Sequence, residues 1–218
     1  KNFEALNATN TLAVPGAGVA LFTPAMIDMD YWLGVGGQRE TSVGDLGTDA
    51  FSLRQSEPAR QVELMEMIQR LYPGRCHGFA SFCPWRQVDD LHHNATVGEG
   101  SSRRVQTALE TVQDAILNRG LLGVKLYPPM GFAPLGNAAL PPEAFPPAVA
   151  DTPYEQDFGA LLDEALLGLY RFCVANDVPV MAHAAPSNGA GVFTDSAGKK
   201  TNYAARAHPA GWRKVLEQ

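Results

Sequence analysis

The chain has 218 residues, of which 45% are hydrophobic, and its formal net charge is −6 at pH 7. A chain of this length buries roughly 70% of the surface that it exposes when unfolded, which predicts a single domain over residues 1–218 with one core. An acidic surface repels phosphate groups, so the charge argues against nucleic acid or an anionic membrane as the partner and favours a small molecule.

The cysteine content favours a reducing compartment. The chain has three cysteines, Cys76, Cys83 and Cys173, which is an odd number, and none lies in a Cys-x-x-Cys pattern. The glycosylation acceptor pattern at Asn7 and Asn94 is short and often arises by chance. From the cysteines we expect a cytoplasmic protein. No apolar run reaches the ~18 residues of a membrane span.

Predicted strands and helices alternate along the chain, beginning with two βα units. Residues 19–22 predict a strand, and Ser56 precedes the first helix. Residues 76–82 predict the second strand, after which Ser102 is expected to cap a helix that Gly120 ends. The inward positions of the two helices are Val62, Met65, Ile68 and Leu71 in the first, and Val105, Leu109, Val112 and Ile116 in the second.

Two further strands follow, at residues 121–127 and 178–183. Between them lies a helix with one apolar stripe, formed by Phe158, Leu161, Leu162, Ala165, Leu166, Leu169 and Cys173. Pro209 is expected to open a last helix. Residues 133–157 show neither the helical nor the strand period of apolar residues. A loop of this length predicts a lid whose apolar contacts come from Phe132, Phe145 and Tyr154.

Strands separated by helices predict an α/β fold with a parallel sheet, either an open doubly wound sheet or a (β/α) TIM-type barrel. The glycine fingerprint of nucleotide-binding sheets is missing from the sequence. Polar residues instead follow the predicted strands, at Thr23, Arg86, Lys125, Tyr127 and His183. Because barrel active sites form at the carboxyl ends of the strands, we favour the barrel.

Lys125 lies inside an apolar strand, where Val124 and Leu126 face one side and Lys125 and Tyr127 the other. A lysine inside a barrel is costly unless it is carboxylated into a metal-bridging carbamate, forms a Schiff base or pairs with an anion. Alternatively, it extends its amine to water at the mouth of the strand. His183 ends the next strand, and neutral imidazole is a common zinc ligand.

Other polar residues carry two interpretations each. Ser187 and Asn188 either bind a substrate carboxylate or carbonyl or shape a turn. Arg86 either binds a substrate anion or forms a surface ion pair. The remaining residues favour ordinary structural roles: Asp28 and Asp30 as solvated acids, Cys83 as an unactivated thiol, His92 and His93 in an exposed loop, and His208 at a helix start.

Several motifs, in order along the chain, resemble the amidohydrolase superfamily. They are YPGR at 72–75, GFASF at 78–82, PWR at 84–86, GLLGVKLYPP at 120–129 and NDVPVMAH at 176–183. The resemblance covers roughly residues 60–215. More narrowly, it is to the TIM-barrel metal-dependent hydrolases, a branch that also contains metal-dependent decarboxylases.

The resemblance implies a divalent metal, usually zinc, with His183 as a metal ligand and Lys125 either carboxylated between two metals or free near the substrate. The metal would activate water for attack on an amide, ester or lactone, or support loss of carbon dioxide in the decarboxylating members. Lys125 and His183 are then the catalytic and metal-binding residues, with substrate contacts from Arg86, Tyr127, Ser187 and Asn188.

The sequence departs from the family because it has no His-x-His pair, and the later ligands would lie beyond Gln218. We therefore expect strands two to five of an eight-stranded barrel, either as a fragment of a longer polypeptide that associates with a second copy or with the missing part, or as a family member trimmed beyond its chemistry. A metal-dependent hydrolase is the favoured function. The alternatives are the related decarboxylase, a Schiff-base lyase using Lys125 with His183 or Tyr127, and a non-catalytic module.

Overall fold

The computed structural model describes residues 21–28, 31, 58–98, 100–101, 103–185, 192–194 and 200–217. The helices are α1 (Pro58–Leu71), α2 (Pro84–Val97), α3 (Ala108–Leu117), α4 (Phe158–Ala175) and α5 (Arg213–Leu216). The strands are β1 (Phe79–Ser81), β2 (Gly123–Leu126), β3 (Val180–Ala182), β4 (Val192–Thr194) and β5 (Lys200–Asn202). Within these ranges no helix is both long and apolar enough to cross a membrane.

The main sheet is parallel and follows the order β1-β2-β3, so neighbours in space are neighbours in sequence. Phe22 and Ala25 form parallel bridges with Cys76 and Phe79, which places the segment before α1 beside β1. Right-handed crossovers in a sequential order bring the connecting helices to one face, as in a barrel, whereas a doubly wound sheet needs a reversal of strand order. Three sequential strands occur both in a barrel and in one half of a doubly wound sheet, so the predicted TIM-type barrel stays a prediction.

The predicted alternation along β2 is present. Val124 and Leu126 are fully buried in the core, whereas Lys125 and Tyr127, which alternate with them, are half-buried. The helices fill the core around this strand with Val112 of α3 and with α4 residues from the predicted apolar stripe, of which Phe158, Leu162, Ala165, Leu166, Leu169 and Cys173 are buried. The sheet therefore has a closed apolar side and a side that carries polar groups.

Helix α2 corrects the expectation of an exposed loop around His92 and His93, which both lie in this helix. Pro84 occupies the first turn of α2, where its missing N–H costs nothing. The helix buries Trp85 and Val88, although most of its sequence is polar.

Helix α3 begins later than predicted. Thr107, rather than Ser102, is its N-cap: the Thr107 hydroxyl accepts from Glu110 N at 3.2 Å and Glu110 Oε2 accepts from Thr107 N at 2.8 Å. This reciprocal pair is a capping box, and it leaves Val105 outside the helix. Ser102 itself lies outside the described residues.

The C-terminal part of the described chain is less regular than one helix. Pro209 opens the 3₁₀ turn Pro209–Trp212, and α5 adds one further turn. The prediction that His208 is a helix-start residue is confirmed, since its Nδ1 accepts from Ala210 N at 3.1 Å. Strands β4 and β5 form an antiparallel pair that the sequence did not predict.

Residues 133–157, the predicted lid, fold into short 3₁₀ turns that pack on α4. Asn137 is fully buried, and Asp163 of α4 accepts from three backbone N–H groups of residues 136–138 at 2.9 Å. Phe132 and Phe145 are buried as expected. The described contacts tie the segment to the core, and its gating role stays a prediction.

Candidate functional site

Three predicted site residues come together at the carboxyl ends of β2 and β3. His183 N donates to Leu126 O at 3.0 Å, which fixes the end of β3 beside β2. The rings of Tyr127 and His183 stack with centroids 4.3 Å apart and planes at 28°, and Lys125 Nζ lies 5.7 Å from the centroid of the Tyr127 ring. The structure therefore supports one site containing Lys125, Tyr127 and His183, while their roles stay predictions.

Burial favours the neutral forms of the two titratable bases in this site. Burial lowers the pKa of the Lys125 amine, and among the described residues no carboxylate forms an ion pair with it. The pKa of His183 is lowered first by burial and then by the charge of Lys125, against the effect of a hydrogen bond with the Ala185 backbone. A neutral imidazole offers a lone pair to a metal, and a neutral amine is a nucleophile.

Two buried polar atoms at this end of the sheet lack hydrogen-bond partners among the described residues: His183 Nε2 and Ser81 Oγ. Ser81 is the register partner of Lys125, and adjacent strands lie about 4.8 Å apart. Buried polar atoms without partners are rare in folded proteins and mark positions that a ligand, an ion or water satisfies. We therefore add Ser81 to the site.

Sequence reasoning did not single out Ser81. Ser81 is a polar residue in the otherwise apolar strand Phe79–Ser81, which the sequence shows. Its position beside Lys125 becomes visible only once the register of the two strands is known. Strand register involves residues far apart in the sequence, so periodicity within one strand does not predict it.

Arg86 and Asp28 form a buried ion pair at the same end of the sheet. Arg86 Nε and Nη2 donate to the two oxygens of Asp28 at 2.5 and 2.9 Å, and both residues are buried. The Arg86 guanidinium also lies 4.9 Å from the centroid of the Tyr31 ring. The interpretations of a surface ion pair for Arg86 and of a solvated acid for Asp28 are therefore wrong. The predicted contact of Arg86 with substrate stays a prediction.

Burial, and then the charge of Asp28, raise the pKa of the Cys83 thiol. Cys83 is buried and remains protonated, so it does not supply a thiolate nucleophile. Ser187 and Asn188, which we predicted as substrate-binding residues, and Asp30 lie outside the described residues.

The described residues offer few donor atoms for a metal ion. His183 Nε2 is buried and unpartnered, as expected of a ligand, and a carboxylated Lys125 would supply oxygen donors beside it. In the part of the chain that the structure describes, no three His, Cys, Asp or Glu residues lie close enough to bind one ion. Catalytic zinc sites usually have three protein ligands, so the described residues do not complete such a site by themselves.

Comparison with models of protein families, with curated proteins and with solved structures finds no match for this chain. The resemblance to the amidohydrolase superfamily consequently rests on the motifs quoted above. The function is argued below from the arrangement of Lys125, Tyr127 and His183.

Proposed function

We propose that the chain carries the lysine and histidine of a metal-dependent hydrolase of the amidohydrolase type. Its substrate would be a small molecule with an amide, ester or lactone bond, and its metal a divalent ion such as zinc. One observation supports the proposal above the others: Lys125 and His183 lie at adjacent ends of parallel strands, with the His183 Nε2 atom buried and unpartnered.

His183 and Lys125 would hold the metal by different chemistry. The neutral imidazole donates the lone pair of Nε2, and stacking on Tyr127 keeps the ring in position. The neutral fraction of the Lys125 amine, which burial increases, would attack carbon dioxide, forming a C–N bond and losing a proton to give an anionic carbamate. A metal held there would lower the pKa of its bound water, which would be the nucleophile in hydrolysis.

Zinc binding to the purified chain tests the proposal. We expect one saturable zinc site, measured by competition with a chromophoric chelator, that His183→Gln abolishes. His208→Asn is the matched control, because His208 is exposed and asparagine preserves its capping function. Labelled bicarbonate should give a carbamate ¹³C signal that Lys125→Met removes, and zinc-loaded protein should hydrolyse members of an amide, ester and lactone panel.

Zinc binding that survives His183→Gln, or the absence of a stoichiometric site, would contradict the proposal. Zinc binding without hydrolysis of any panel member would contradict the hydrolase assignment and favour the decarboxylase, for which release of carbon dioxide is the assay.

A Schiff-base lyase is the second candidate, and a specific observation favours it. Lys125 is a half-buried amine with a lowered pKa and no acidic partner among the described residues, which are the conditions under which lysine attacks carbonyls. Attack forms a C=N bond and releases water, and borohydride reduces that bond to a stable amine. Mass spectrometry of protein treated with pyruvate and borohydride should then show an adduct on Lys125, which a metal site does not give.

A further inference from the structure

Two buried polar atoms close to the turn that follows Tyr127 lack hydrogen-bond partners among the described residues. Arg206 lies in the 3₁₀ turn Ala204–Ala207, which packs against the turn Pro128–Met130 that follows Tyr127 directly. The Nη1 atom of Arg206 is buried with no hydrogen-bond partner within the described ranges. Tyr203 is 2% exposed, and its buried hydroxyl likewise has no hydrogen-bond partner among the described residues.

The electrostatics of Arg206 indicate a missing anion. Its Nη2 donates to Ala144 O at 2.8 Å, but no carboxylate among the described residues pairs with it. Arg206 N donates to Tyr203 O at 2.9 Å, so the two residues share one turn. Burial lowers the pKa of the Arg206 guanidinium, against an opposing effect of Tyr203. Arginine keeps its proton at neutral pH, so the result is a partly buried positive charge for which the described part of the chain supplies no counter-charge.

We propose that Arg206 and Tyr203 bind a carboxylate of the substrate, with Arg206 Nη1 and the Tyr203 hydroxyl each donating to a carboxylate oxygen. One positive charge and two unpartnered donors suit a monocarboxylate, whereas a phosphate has three oxygens and up to two charges to satisfy.

The position of this pair allows one small molecule to reach both it and Lys125. Pro128 is three positions after Lys125, a span of at most about 11 Å, and the Arg206 turn packs on the turn that Pro128 opens. The assignment of the carboxylate to a substrate rests on the proposed function. The binding itself is measurable without turnover.

Acetate binding to the full chain tests the inference, with chloride replaced by acetate at constant ionic strength and pH. We expect acetate to raise the melting temperature and to shift the Arg206 side-chain ¹⁵N signal saturably, with the signal assigned by its loss in Arg206→Met. The thermal effect of acetate should disappear in Arg206→Met. It should persist in Arg171→Met, which removes an exposed arginine of α4.

Tyr203→Phe keeps the test informative if Arg206→Met fails to fold, because it removes one oxygen only. We expect this variant to bind acetate roughly 10-fold more weakly, while its melting temperature without acetate stays equal or rises, since the lost hydroxyl has no described partner.

Three results would overturn the inference: no stabilisation by acetate beyond chloride, unchanged acetate binding in Tyr203→Phe, or tighter binding of inorganic phosphate than of acetate. Acetate binding without zinc binding would contradict the metal-dependent function alone. Zinc binding without acetate binding would contradict the carboxylate site alone.

Discussion

At the scale of single residues, Lys125 combines a destabilising position with a chemical use. Burial lowers its pKa, so the folded state binds its proton less tightly than the unfolded state does. The cost of the charged amine is present at neutral pH and declines as pH rises from the folded pKa towards the unfolded value of about 10.4. The free energy of unfolding of metal-free protein should therefore rise with pH over this window through this group.

We accordingly predict that Lys125→Met leaves stability equal or higher at pH 7 while abolishing activity. The stability difference between the variant and the parent should shrink as pH rises to about 10.4, as measured by urea unfolding with chelator present. Lys214→Met, at an exposed lysine, is the control. A variant that is much less stable at pH 7 would show that Lys125 supports the fold.

Unlike removal of the Lys125 amine, removal of the Asp28 charge from the Asp28–Arg86 pair should lower the stability of the protein. Asp28→Asn removes the negative charge that pairs with the buried Arg86 guanidinium, which costs about 3–5 kcal/mol of unfolding free energy. Glu63→Gln, which breaks the exposed pair with Arg60, should cost less than about 0.5 kcal/mol. Urea unfolding measures both. Equal, small losses in the two variants would mean that the Asp28–Arg86 pair does not stabilise the fold.

At the scale of elements, two glycines of α4 provide a matched comparison. A Cβ on Gly159 would lie 2.5 Å from Asn137 O, whereas a Cβ on Gly168 would make only an ordinary contact of 3.6 Å with Leu109. Alanine improves helix propensity at both sites, so Gly168→Ala should stabilise the protein by about 0.5–1 kcal/mol. Gly159→Ala should destabilise it by about 1–3 kcal/mol through overpacking. Thermal unfolding measures both, and stabilisation at Gly159 would contradict the packing of residues 133–157 on α4.

The sequence predicts an element when the interactions that define it join residues close together in the chain. The alternation of β2 and the apolar stripe of α4 are local periods, so the sequence predicts both. Helix α2 was missed because Pro84 ends one element and begins the next. Similarly, the Asp28–Arg86 pair joins residues 58 positions apart, and the stacking of Tyr127 on His183 depends on strand register. Neither leaves a pattern within one segment.

At the scale of the whole molecule, β3 is an edge of the described three-stranded sheet, and Val180 and Met181 on it are only half-buried. An unpaired parallel edge beside incompletely buried apolar residues favours association. We predict concentration-dependent assembly above the chain mass of 23.4 kDa in sedimentation velocity experiments. A single species of that mass across the concentration range would contradict this prediction.

The central claim is that Lys125 and His183, from neighbouring strands, form one site. An NMR titration of metal-free protein tests it most directly, with His183 assigned by its loss in His183→Gln. We predict that His183 titrates below its ordinary pKa of about 6.5, and that Lys125→Met raises the pKa part of the way back because the effect of burial remains. A His183 pKa at the ordinary value, unchanged by Lys125→Met, would contradict the claim.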